Sequence, residues 1–215
     1  MEPPGLAAIT VAALATGLHL RAEYRGPRWQ VYLFKPLIVA ALLLLAVFAS
    51  PVHGSRYQMA IAIGLACSLV GDILLMLPGD RFLPGLGSFL LAHLAYLVAF
   101  SSGTPLATAP VLLLPLLAAA AILLRVLWPS LGRLRLPVAL YAAAILLMVW
   151  RAWARQRALP GPGASLAAAG AILFMVSDAI LALNRFHRPF PGAQAWVMTT
   201  YAAAQTLIAA SVGAG

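Results

Sequence analysis

The chain has 215 residues, of which 63% are hydrophobic and only 9% charged, with a net charge of +9 and a mean hydropathy of +0.97. A soluble domain carries about a quarter charged residues, so this composition excludes a water-soluble globule and implies an all-α, polytopic membrane protein. The basic excess is no nucleic-acid signature, because the 14 Lys and Arg lie mostly at the ends of apolar runs and no basic face or base-stacking motif stands out.

A bilayer-spanning helix needs roughly 20 mostly apolar residues, so eight helices would use roughly 160 and leave only short loops. The expected organisation is therefore one transmembrane domain over residues 1–215. The first apolar segment, Leu6–Leu20, is short; only Glu2 is charged before it, and Arg21, Arg25 and Arg28 follow. It lacks the basic region of a cleavable signal, so it is expected to stay as a helix with its N-terminus outside. The second, Val31–Ser50, carries Lys35 next to Pro36. The third, Met59–Leu77, contains "SLVGDILLML" with Asp72, and the turn "PGDR" leads to the fourth, Phe82–Ser101, with "LAHLAYL". The fifth and sixth are Leu106–Leu124 and Leu134–Trp153. The seventh, Ala164–Leu183, contains "FMVSDAILAL" with Asp178, and "NRFHRPFPG" leads to the eighth, Ala193–Val212, with "TTYAAAQ". The single cysteine, Cys67, allows no intramolecular disulfide.

Basic residues set orientation. Arg21, Arg25, Arg28, Lys35, Arg81, Arg125, Arg133, Arg135, Arg185 and Arg188 fall on one side, against Arg56, Arg151, Arg155 and Arg157 on the other. The larger set is expected to be cytoplasmic, with both termini outside, in a bacterial inner or plasma membrane. Three Arg in the sixth loop argue mildly the other way.

Two of only five acidic residues lie inside apolar runs. A carboxylate near the helix centre costs around 2.5–3.5 kcal/mol on insertion scales. On this topology Asp72 and Asp178 sit at one depth, about 9 Å below the helix ends at 1.5 Å rise per residue. "LVGDILLML" aligns with "MVSDAILAL", and "KPL" with "RLP", which hints at a parallel repeat of four helices plus four. Such a repeat would set the two aspartates face to face, coupled through a shared proton. One reading is a structural pair that holds helices together. The functional reading is an acid and a base, the charge state that acid-catalysed addition of water requires.

Other polar residues fall where they would join such a site. His93 and Tyr96 share a face of the fourth segment, and Tyr201 and Gln205 a face of the eighth. Arg185 lies on the face of Asp178, next to Asn184 at the interface, where it would reach a lipid phosphate or snorkel. Lys35 is open to the same two roles, or to pairing with an acid. Ser68 and Ser177 neighbour the acids. No Gly-x-Ser-x-Gly elbow and no zinc-type His/Cys spacing appears.

The segments "KPL", "SLVGDILLML", "FLPGLGSFLLAHLAYLVAF", "LFMVSDAILALNRF" and "TTYAAAQTLIAAS" resemble the YhhN-like lysoplasmalogenase family of integral membrane proteins. The similarity runs from about Lys35 to the C-terminus and is thinnest between residues 105 and 160. The resemblance implies hydrolysis of the vinyl ether bond of a lysoplasmalogen, with water and a lysophospholipid as reactants, membrane lipids as surroundings and no organic cofactor; the spacing marks no metal site. The products would be a fatty aldehyde and a glycerophospho-ethanolamine or -choline. On that reading Asp72 and Asp178 divide the acid and base roles. His93, Tyr96, Tyr201 and Gln205 position acids or water, and Lys35, Asn184 and Arg185 meet the headgroup. A proton-coupled transporter is the alternative; helices broken at mid-membrane would favour it.

Overall fold

The computed structural model describes residues 3–106 and 108–215; Glu2, on which the reading of the first helix leans, lies outside them. Eight α-helices follow one another: α1 (Pro3–Arg25), α2 (Arg28–Phe48), α3 (Ser55–Met76), α4 (Phe82–Ser101), α5 (Leu113–Leu131), α6 (Arg135–Ala158), α7 (Pro162–Ala182) and α8 (Ala193–Ala210). In a bilayer the backbone must satisfy its own hydrogen bonds, and helices do this within each segment. Among the described residues, six segments are long and apolar enough to cross a membrane; one of them, Pro110–Ala158, holds both α5 and α6, and α8 falls outside the six. The helices α3 and α7, which carry the aspartates, are unbroken along their length, and α7 runs into a π-helical turn at Leu183–His187.

The fifth helix departs from its sequence expectation by a full two turns. It starts at Leu113 rather than Leu106, after a short 3-10 turn at Pro110–Leu112. The apolar residues before it are held out of the helix by α6. Arg151 donates to the carbonyls of Thr104 at 2.7 Å and Pro105 at 3.0 Å, and to Ser101 Oγ at 3.1 Å. Trp150 Nε1 donates to Ala109 O at 3.1 Å, and Arg155 donates to Ser102 O. Both arginines are buried, and Arg155 also lies 4.7 Å over the Tyr57 ring. They are therefore helix residues spent on a loop's carbonyls, and of the three Arg expected in the sixth loop only Arg157 is exposed.

Six helices, α2, α3, α4, α6, α7 and α8, surround the core, and the two outer helices pack unequally. Helix α1 lies closely along α2 and also touches α8. Helix α5 rests mainly on α6 and on the turn after α7, and buries only Leu127 and Leu131. The looser seat of α5 leaves room beside α7.

Replacing Arg151 by Met would strand the Thr104 and Pro105 carbonyls without a donor. An unpaired buried polar group costs about 1–3 kcal/mol, so we expect a clear fall in the thermal midpoint in detergent and faster proteolysis between 102 and 109. Arg157→Met, at an exposed site two turns on, is expected to leave both unchanged.

Candidate active site

The close fit of α3 and α4 fixes the surroundings of Asp72. Gly71 lets the Phe89 ring lie directly on the α3 backbone, where a Cβ would approach to 2.7 Å; Gly64 admits the Tyr96 ring in the same way. Asp72 is then 2% exposed. Its Oδ1 is 3.4 Å from Lys35 Nζ on α2, and its Oδ2 accepts a 2.7 Å bond from the Tyr201 hydroxyl on α8. Lys35 therefore pairs with an acid instead of snorkelling. One turn further along the same two helices lie Ser68 and Gln205, both fully buried. Gln205 Oε1 accepts from Tyr96 at 2.7 Å, while Gln205 Nε2 and Ser68 Oγ have no hydrogen-bond partner among the described residues.

Asp178 has a different setting. Its Oδ2 accepts a 2.8 Å bond from the Tyr141 hydroxyl on α6 and lies 3.5 Å from His93 Nε2 on α4. Its Oδ1 has no donor among the described residues, and the side chain is 13% exposed. The exposure is to an apolar cavity of about 230 Å³ between α4, α5, α6 and α7, whose wall includes Leu86, Ala120, Leu123, Val138 and Ala179 beside Asp178 and Tyr141.

The contacts alternate as a two-fold arrangement would make them. Each aspartate takes one group from the helix before its own, Lys35 on α2 or Tyr141 on α6. Each takes another from the helix that follows the other aspartate, Tyr201 on α8 or His93 on α4. Yet the two carboxyls do not meet. Among the described residues no hydrogen bond joins them, and the Phe174 ring stands between their partners, 4.6 Å from His93 and 5.4 Å from Tyr201. Phe89 closes the same aromatic wall, 5.9 Å from Tyr201.

The remaining expected site residues lie at the basic end of the bundle. Asn184 Oδ1 accepts from the backbone N–H of Phe190 and so shapes the turn before α8. Arg185 pairs with Asp80 of the α3–α4 turn, with its guanidinium 4.0 Å over the Phe82 ring. Phe82 and Phe186 both line the cavity, which places Arg185 at its rim.

Sequence reading missed Tyr141 and His19. Tyr141 lies between Val138 and Ile145 on the inward stripe of α6, a spacing of three and four that marks the core face. His19 is fully buried on α1 with neither ring nitrogen bonded. The α1–α2 hairpin turns at Gly26–Pro27, which sets His19 level with Lys35. Nothing in the pattern of α1 marks it, since its role depends on which way that helix faces.

Because Lys35 is the counter-charge of a buried acid, Lys35→Met alone is expected to destabilise by about 3–5 kcal/mol. Lys35→Met with Asp72→Asn removes both charges and is expected to recover most of that loss. A double-mutant cycle of thermal or denaturant midpoints in detergent measures the coupling.

The YhhN family model matches residues 30–212. The "Uncharacterized membrane protein YhhN" of Escherichia coli O157:H7 is 35% identical over 199 residues, covering 93% of this chain and 95% of that protein. "Lysoplasmalogenase TMEM86B" of Sus scrofa is 41% identical over 188 residues, covering 86% of this chain and 76% of the relative. The human protein of that name is 39% identical over 183 residues, covering 85% of this chain and 75% of its own length. No solved structure matches the chain. A family match across most of the chain, relatives similar over three quarters or more of their length and apolar helices that carry their aspartates inward agree: this integral membrane protein belongs to the YhhN family.

Proposed function

We propose that the protein is a lysoplasmalogenase-like hydrolase, in which Asp178 donates a proton to the vinyl ether carbon and Asp72 supplies the fixed negative charge. The observation that carries this reading is the difference between the two carboxyls. Asp178 stands on the wall of an apolar cavity with Oδ1 unbonded, whereas Asp72 is enclosed with an ammonium group at 3.4 Å. The names of the relatives support the substrate class.

A vinyl ether is an enol ether, whose oxygen pushes electron density through the double bond and makes the β-carbon nucleophilic. The alkenyl chain lies in the cavity, and Asp178 Oδ1 transfers its proton to that carbon. The C–H bond forms from the alkene pair, and an oxocarbenium ion remains on the carbon next to the ether oxygen. The Asp178 carboxylate left behind stabilises the cation, as in two-carboxylate glycoside hydrolysis. Asp72 adds a second negative charge across the aromatic wall, where low dielectric strengthens it. The Lys35 ammonium and the Tyr201 hydroxyl are the groups that favour the anionic form of Asp72. Tyr141 and His93 fix the orientation of Asp178, so that Oδ1 faces the substrate. Water then adds to the cationic carbon and yields one proton to a carboxylate. The hemiacetal collapses, the glycerol oxygen takes up a proton, and aldehyde and glycerophospho-headgroup separate. The net change is addition of one water. Gln205 Nε2 and Ser68 Oγ, both buried and unpaired, are the groups suited to hold a water near Asp72. The unbroken α3 and α7 do not favour the transporter alternative.

The test is fatty aldehyde release from a 1-alkenyl lysophospholipid by purified protein in detergent. We expect turnover by the wild type and a loss of about a hundredfold or more in both Asp72→Asn and Asp178→Asn. Tyr141→Phe, which only loosens Asp178, is expected to lose about tenfold. Folded wild type that releases no aldehyde with either an ethanolamine or a choline headgroup would overturn the hydrolase reading.

A further inference from the structure

At the basic end of the bundle the cavity finishes between two phenylalanines. Phe82 opens α4 and Phe186 lies in the turn that ends α7, and their rings meet edge to face at 5.5 Å. Over them sits the Arg185–Asp80 pair. The guanidinium is 4.0 Å from the Phe82 ring centre and 5.8 Å from that of Phe186. Its Nη2 alone gives both bonds to Asp80, at 2.8 and 3.1 Å, so Nη1 and Nε are left over. The side chain of Asp80 is 74% exposed and that of Arg185 37%. An exposed ion pair of this kind contributes little to stability. Here it brings a cation, an anion and two aromatic faces together at the mouth of the cavity whose wall carries Asp178.

We propose that Asp80, Arg185, Phe82 and Phe186 form a site for a zwitterionic phospholipid headgroup, with the phosphate on Arg185 and the ammonium between Asp80 and the phenylalanine rings. The proposal rests on the hydrolase reading for its consequence, which is headgroup preference. Three features support it. The chemistry is complementary: the left-over guanidinium donors suit a phosphate, and a carboxylate beside aromatic faces suits an ethanolamine or choline ammonium. The depth is right, because Arg185 lies seven residues beyond Asp178 towards the basic end, at most about 10 Å at 1.5 Å rise per residue, less what the π-helical turn shortens. A lysolipid anchored by its phosphate at Arg185 brings its ether group, a glycerol's length inward, towards Asp178. The pair need not open, since the two headgroup charges can close an alternating ring of four. A phosphoglycerol headgroup, with no ammonium, would meet Asp80 as a like charge across the site.

The test measures binding of radiolabelled 1-palmitoyl lysophosphatidylcholine and 1-palmitoyl lysophosphatidylglycerol to purified protein in detergent. These lipids carry no vinyl ether, so the result does not depend on turnover. We expect the wild type to prefer the choline lipid by about three- to fivefold, the scale of one exposed charge pair. Asp80→Asn should bring the two within twofold, by losing choline-lipid affinity and gaining for the glycerol lipid. Asparagine tolerates the left-handed backbone at this residue, φ 33°, so the variant should fold; Arg185→Gln should weaken both lipids. Equal binding of the two lipids by the wild type, or a preference unchanged in Asp80→Asn, would overturn the headgroup site while leaving aldehyde release by the wild type to judge the hydrolase reading. The expected preference without any aldehyde release would keep the site and remove the hydrolase.

Discussion

The arrangement of this bundle depends on keeping carboxyl groups among apolar helices. A charge cannot be left unmatched there, so each aspartate must be met by groups from other helices. Asp72 draws Lys35 from α2 and Tyr201 from α8; Asp178 draws Tyr141 from α6 and His93 from α4. These four contacts join all six core helices, since α3 and α7 carry the acids. Lipid tails are as apolar as leucine, so polar contacts and close packing, rather than escape from water, hold such helices together. The glycines at 64 and 71 serve that packing by letting rings of α4 rest on the α3 backbone.

The two acids begin from equivalent positions and end with different surroundings. The cause lies in the outer helices. Helix α1 fills its place against α2 and α8, and the acid on that side is closed in with Lys35. Helix α5 does not fill the matching place, and the acid on that side opens onto a cavity. The delayed start of α5 belongs to the same difference. Arg151 and Trp150 hold the preceding chain in a loop, so the helix is displaced towards the basic end. In the mechanism proposed above, a near-symmetric pair thereby becomes one carboxyl that touches substrate and another that sets the field. Acid–base chemistry needs that division, because two equivalent acids would not be poised differently.

Composition and pattern were enough to determine that the chain is an all-helical membrane protein, and to locate seven of the eight helices within a few residues. The reason is that a helix in lipid is specified by a local quantity, a run of apolar residues of sufficient length. Asp72 and Asp178 stood out for a related reason: a charge in such a run is costly wherever it points, so its presence alone is informative. His93, Tyr96, Tyr201 and Gln205 were legible as polar groups on inward faces. Their pairing was not. That Tyr201 serves Asp72 while His93 serves Asp178 depends on which helices are neighbours, and no local pattern encodes this. The same holds for Arg151 and Arg155, which counted as loop charges by position but proved to be buried donors. It holds for Arg185, whose partner Asp80 is 105 residues away. Local chemistry determined the elements and the acids; the tertiary structure alone decided their partners, and which acid faces a cavity, because both follow from how separate helices pack.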